Sequence, residues 1–161
     1  MTEYKVIIPE ENYQIVEFKQ DNLPGVMVLN KSLEGFEPKA VFSWHLSVMI
    51  NFNELIQSGM PSQKERDIVD PYGDQLDGVF KGKDREKPNA LFLARITWNK
   101  TRELIYRVYD PEPIHCFLQN EITEKRYARE FEYRIDPDEN WELSKWHLGT
   151  LNAQLKDKPN R

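Results

Sequence analysis

The chain has 161 residues, with 22 Lys plus Arg against 27 Asp plus Glu, a formal net charge of −5. A chain of this length is read as one domain, 1–161, and it buries about 70% of its unfolded surface without help from a metal or disulfide. Its acidic balance, with the basic residues scattered, argues against a dedicated nucleic-acid binder; 39% hydrophobic residues with 12% aromatics suffice for a core, so disorder of the whole chain is not expected, while a mean hydropathy of −0.72 marks a very polar surface.

Cys116 is the single cysteine; it rules out an intrachain disulfide and a thiolate zinc site and fits a reducing compartment. The stretch from Met1 to Pro9 lacks the basic start and apolar run of a secretory signal. Nowhere do about 18 apolar residues follow one another. A soluble, cytoplasmic protein is expected.

Residues 12–18 alternate, Tyr13, Ile15 and Glu17 against Gln14, Val16 and Phe18. Leu23-Pro24-Gly25 breaks the run and residues 26–29 resume it, which predicts a hairpin. Gly35 and Pro38 mark residues 30–39 as loop. Residues 42–52 have the clearest two-residue period, with Trp44, Leu46, Val48 and Ile50 on one face and His45, Ser47, Met49 and Asn51 on the other. Ser62 and Glu65 form a capping box that opens a helix running to about Phe80, in which Pro71 predicts a kink or break near Asp70. Gly82 to Pro88 is a charged loop. Residues 89–98 and 101–110 are strands joined by Asn99-Lys100, the spacing of a tight hairpin, although glycine suits that turn better than Lys100 and a longer loop is the fallback. Pro111 opens a second helix to about Thr123 with a stripe of Ile114, Phe117, Leu118 and Ile122. Residues 126–135 alternate again, Trp141 to Trp146 suggests a short helix, and Gln154 to Arg161 reads as frayed.

From Phe42 onward the order is strand, helix, strand, strand, helix, strand, the ferredoxin-like βαββαβ order. The expected fold is an α+β two-layer sandwich, an antiparallel sheet with two helices on one face. It divides into an N-terminal β-hairpin (12–30), a ferredoxin-like core (42–136) and a C-terminal extension (137–161). The hairpin extends the sheet, covers its second face or serves a dimer contact; the sequence does not choose. By the two-residue period, Trp44, Leu46, Val48, Ile50, Leu104, Tyr106, Val108, Phe131, Tyr133 and Ile135 take the helix-covered face. His45, Ser47, Met49, Asn51, Arg95, Thr97, Glu103, Ile105, Arg107, Glu130, Glu132 and Arg134 fall on the open one.

The chemistry is sought on that open face. His45 ionises in the range for acid–base work, yet a sheet-face histidine bonded to a neighbour accounts for it more simply. Glu103, Glu130 and Glu132 could supply paired carboxylates, but cross-strand ion pairs with Arg95, Arg107 or Arg134 are the plainer reading. His45, His115 and His147 lie on three separate elements with no metal-ligand spacing, so no metal is expected. Phosphate-cradling glycine loops and a nucleophile elbow are absent, so neither is a cofactor. His115 and Cys116 are adjacent on a helix and point about 100° apart, so Cys116 reads as a buried thiol. The aromatic residues sort to the covered face, which speaks against single-stranded RNA. A mixed-charge face suits a protein partner.

Several stretches resemble the bacterial family called domain of unknown function 695: Asn30 to Leu33, Pro38 to Leu46, and above all Asn89 to Asn99 with Thr101 to Asp110, within a match from about Asn12 to Trp141. The chain departs from that pattern at Lys100, where glycine is expected, and at Asp70-Pro71 inside the long helix. The family is distantly similar to bacterial proteins that bind and inhibit ribonuclease E, the regulator of ribonuclease activity B family, which implies a regulatory protein-binding role. The expectation is therefore a non-enzymatic regulatory or adaptor domain, monomer or homodimer, that meets an unidentified protein partner through His45, Arg95, Thr97, Glu103, Arg107, Glu132 and Arg134. The alternative is a hydrolase or transferase using His45 with Glu103 or Glu132.

Overall fold

The computed structural model describes residues 4–151. It opens on a hairpin of β1 (Tyr13–Gln20) and β2 (Leu23–Asn30), joined by Asp21 and Asn22 at φ of 53° and 63°. Two left-handed residues make the turn whose twist matches the strands, and Asp and Asn reach that conformation at low cost. The turn thus precedes the expected break: Pro24 and Gly25 lie inside β2, opposite Lys19 and Phe18. Gly25 is required there, because a Cβ would collide with the Phe18 ring that crosses it.

β3 (Trp44–Asn51), α1 (Gln63–Lys81), β4 (Ala90–Trp98), β5 (Thr101–Val108), α2 (Glu112–Thr123), β6 (Phe131–Pro137) and α3 (Lys145–Gly149) follow. The strands form one six-stranded antiparallel sheet in the order β1-β2-β4-β5-β3-β6. The N-terminal hairpin therefore extends the sheet, through β2 pairing with β4. Asn99 and Lys100, at φ of 41° and 73°, form the tight β4–β5 turn. A lysine holds the left-handed position because neighbouring chain fixes it: Lys100 N donates to Gly59 O at 2.8 Å, and Phe52 N donates to Lys100 O at 2.9 Å.

Ser62 Oγ accepts from Glu65 N at 3.1 Å, capping α1. The Glu65 side chain does not close the reciprocal half of the box; it accepts from Asn53 N at 2.8 Å and from Arg129 Nε and Nη2 at 2.7 and 2.9 Å. The helix runs unbroken through Pro71, against expectation. A helix-interior proline costs about 3 kcal/mol, whereas each large apolar side chain buried along this helix contributes about 2 kcal/mol. Val69, Tyr72, Leu76 and Phe80 are all buried, so packing wins over the lost bond. α2 buries Ile114 and Leu118, but Ile122 is exposed and Cys116 is exposed too, correcting the expected stripe and the expected buried thiol.

The helix-covered face carries the residues the period assigned to it, from Leu46, Val48 and Ile50 to Leu104, Tyr106 and Val108, with Trp44, Phe131, Tyr133 and Ile135 packed alongside. The second face is not open. Met27, Leu29, Leu91, Leu93, Ile96 and Ile105 are buried there under Tyr4, Phe36, Phe42 and Trp141, with Trp146 and Leu148 packed against them. Most of the sheet is thus a middle layer.

One irregularity decides which side chains share a face. The β4–β5 register shifts between Phe92 and Ala94, so that Phe92 faces Tyr106, Arg95 faces Leu104 and Thr97 faces Arg102. A bulge adds one residue, Leu93, and reverses the in–out alternation beyond it. Arg95 and Thr97 consequently stand on the helix side, opposite to the face the uninterrupted period gave them.

Candidate functional site

The residues expected to form one surface separate into three places. His45, Glu103 and Arg107 lie on the second face and are buried. Arg107 is wholly enclosed: its Nη1 donates to Asp138 Oδ2 at 2.8 Å and to Ser144 Oγ at 3.2 Å, and its Nη2 donates to Asp138 O at 2.6 Å. The guanidinium carbon sits 4.7 Å from the centre of the Trp141 ring. His45 Nδ1 is 3.1 Å from Arg107 Nη1, so it is a sheet histidine bonded to its neighbour. Arg107 thus ties the segment after β6 onto the sheet and has no surface to offer a partner.

Glu103 accepts from Ser47 Oγ at 2.6 Å. The carboxylate of Arg134 is Asp136, at 3.2 Å, as that of Arg107 is Asp138. The expected cross-strand pairs with glutamates are replaced, for these two arginines, by aspartates at and beyond the end of β6. Glu132 and Arg134 themselves are exposed on the β6 edge. The pair needed for acid–base chemistry is not assembled either. His45 stands opposite Arg107, while Glu103 and Glu132 both stand opposite Met49, four residues along β3. That is about 13 Å of strand, far beyond hydrogen-bond reach. His115 is held by Tyr133, whose hydroxyl lies 2.8 Å from its Nδ1.

The third place is the helix side of β1, β2 and β4. Ile15, Val28, Arg95 and Leu104 form one cross-strand row, and Glu17, Val26, Thr97 and Arg102 the next. The outer end of this surface is bare: Tyr13 is 55% exposed and Ile15 69%. Towards α1 it deepens into a hollow of about 270 Å³ between the strands and Asp70, Gly73, Asp74 and Asp77. A bridge from Lys81 Nζ to Glu11 Oε2, 2.7 Å, bounds the hollow. Beyond the bridge lies a larger one, of about 1050 Å³, between residues 4–11 and the end of α1 with its following loop.

Most charges around the smaller hollow are already matched. Asp70 takes Arg102 Nη1, and Arg102 also donates from Nε and Nη2 to Thr97 Oγ1 at 3.2 Å. Asp77 accepts from the Tyr106 hydroxyl at 2.6 Å and pairs with Lys81 at 3.0 Å. Burial works to lower the Lys81 pKa, but its bonds to Glu11 and Asp77 outweigh that and raise it. Arg102 is pulled down, by burial first and then by the like charge of Arg95, with Asp70 opposing. Besides exposed Asp74, Arg95 is the exception. It is half-buried, its Nε is shut away from water with no hydrogen-bond partner, and among the described residues it has no ion-pair partner.

The sequence period put Arg95 and Thr97 on the second face, whereas the structure puts them on the helix side, beside Tyr13, Ile15, Asp70 and Arg102, which the sequence reading did not single out. The spacing of Asp70, Asp74 and Asp77 along one side of a helix was visible; the bulge that turns Arg95 towards them was not. Among the described residues no group of His, Cys, Asp and Glu could hold a metal ion, and no helix is long and apolar enough to cross a membrane.

The model of a family described as "Family of unknown function (DUF695)" matches residues 11–145. The chain belongs to that family. No curated protein and no solved structure matches it. The DUF695 span includes the residues of both hollows from Glu11 onward, and the Arg107–Asp138 tie as well.

Proposed function

We propose that this DUF695 domain is a non-enzymatic regulatory or adaptor module that binds a protein partner through the helix side of β1, β2 and β4, next to α1. The observation that carries the reading is the exposure of Tyr13 and Ile15 in a surface that continues through half-buried Val26 and Val28 into the hollow at Arg95. Exposed apolar surface leading into a concavity marks interaction sites rather than ordinary solvated faces. The regulatory sense of the proposal draws on the resemblance to the ribonuclease E inhibitors. We also read β3 to β6 with α1 and α2 as a ferredoxin-like unit to which the hairpin is added; the run β4-β5-β3-β6 and the core shared by both helices support it. A cytoplasmic setting belongs to the same proposal, supported by a single cysteine that leaves no intrachain disulfide to maintain.

The test is photo-crosslinking in the native host from a probe placed at position 15, with a probe at position 134 on the opposite sheet edge as control. A discrete adduct formed only from position 15, and lost when Val28→Glu is added, is expected. Equal crosslinking from the two edges, or none from position 15, overturns the proposal.

A further inference from the structure

On the reading that a partner docks on this face, we infer that the docked segment is a peptide bearing one carboxylate side chain, received by Arg95, among apolar residues that lie over Ile15 and Val28. Three observations lead there. Size comes first: about 270 Å³ is below the range of roughly 300–1,000 Å³ that holds a whole small molecule or cofactor, and suits a side chain or two from a larger partner.

Charge comes second. Asp70, Asp77 and Glu11 are each engaged by a cation or hydroxyl of the fold, and Arg102 and Lys81 by those carboxylates in turn. Arg95 alone of the hollow's cations lacks a partner among the described residues, and its Nε has lost water without gaining an acceptor. A buried donor left in that state costs about 1–3 kcal/mol, and a carboxylate is the group that matches a guanidinium fork. The neighbouring Arg102, whose pKa the charge of Arg95 helps to depress, gains from a new anion as well. Arg95 turning Nε towards the incoming acid supplies the missing acceptor.

The third observation limits how much negative charge the segment carries. Asp74 is exposed at the rim, with Asp70, Asp77 and Glu11 around it. A run of acids meets these carboxylates as like charges, so a single acid between apolar residues is the match, not an acidic tract.

The experiment uses the whole chain and capped peptides of sequence Val-Glu-Val, Val-Gln-Val and Glu-Glu-Glu, followed by NMR of the arginine Nε–H resonances. Saturable movement of the Arg95 resonance by Val-Glu-Val is expected, with affinity at least about tenfold above Val-Gln-Val and Glu-Glu-Glu, the ratio that one charge-assisted bond gives. Arg95→Gln, checked for wild-type thermal stability, is expected to abolish that discrimination. Val-Glu-Val and Val-Gln-Val binding alike, or neither saturating below about 10 mM, overturns the inference, as does acetate moving Arg95 to the same extent. Loss of peptide binding in Ile15→Glu together with equal affinities for Glu and Gln would retain the docking face and remove only the acid, so the two readings fail separately.

Discussion

Arg107→Met separates a buried tie from a surface contact. The substitution leaves Asp138, itself largely buried, without its cation, although the backbone N–H groups of Glu142 and Leu143 still donate to it at 2.9 Å each. Breaking a buried pair from one side costs about 3–5 kcal/mol, and the guanidinium over Trp141 adds about 1 kcal/mol. The two remaining donors and the burial of the methionine offset part of this, by about 2 kcal/mol. A net loss of about 2–4 kcal/mol follows, or roughly 5–15 °C in Tm for a domain of this size. Urea denaturation of both proteins at pH 7 measures it. Acidification supplies a second signature. Burial works to raise the Asp138 pKa, but the Leu143 N–H and Arg107 outweigh it, so the folded-state value lies below the ordinary one. Its contribution is therefore full above the ordinary carboxylate range and fades as pH falls through the folded value. The gap between wild type and Arg107→Met narrows on the same descent. A gap under about 0.5 kcal/mol at pH 7, typical of a surface substitution, or an Arg107→Glu protein as stable as wild type, would show that Arg107 is no buried tie.

Glu65 offers a second titration: Arg129, against the opposing effect of burial, holds its carboxyl down at about 2 from an ordinary 4.5. That shift corresponds to about 3 kcal/mol, so Glu65→Gln is expected to cost about 2–3 kcal/mol in urea denaturation above pH 4.5, a difference that disappears as pH approaches 2. Gly25→Ala places a methyl group into the Phe18 ring and is expected to lower stability by about 1–3 kcal/mol, with much of the loss recovered in Gly25→Ala/Phe18→Leu as read by thermal denaturation. Cys116 is exposed, and its reaction with a disulfide reagent in the native protein is expected within about tenfold of the rate in urea; full protection would restore the buried thiol inferred from the sequence.

The elements were largely legible, because each was written locally. The alternation of residues 42–52, the capping Ser62 and the two-residue spacing at Asn99-Lys100 all recur as β3, the start of α1 and the β4–β5 turn. What failed were inferences that assumed local rules act alone. Pro71 does not break α1, since the helix is held by the core beneath it. Lys100 tolerates a left-handed conformation because Gly59 and Phe52 bond to it from outside the hairpin. The faces were misassigned for two further reasons. A single extra residue, Leu93, exchanged the faces of Arg95 and Thr97. The covering of the second face comes from irregular segments around Phe36, Phe42 and Trp141, which carry no period to read.

Those segments also decide which face is free to act. For a partner to reach His45, Glu103 or Arg107, the chain around Trp141 and Phe42 must lift from the sheet. Trp141 stacks on Phe36, with centroids 5.7 Å apart, and its Nε1 lies 3.0 Å from both Lys39 O and Phe42 O. Exposing Phe36, Phe42 and Trp141 would cost about 2–3 kcal/mol for each side chain, and parting Arg107 from Asp138 about 3–5 kcal/mol more. That sum reaches the whole stability of a typical domain, about 5–15 kcal/mol. A partner using the second face would have to supply this from its own contacts. The face beside α1 asks for nothing of the kind: Tyr13 and Ile15 are already in water, and half-buried Arg95 already lines the hollow. Binding there would start from the folded state as it stands, which is why the functional proposal rests on this face even though both faces carry charge.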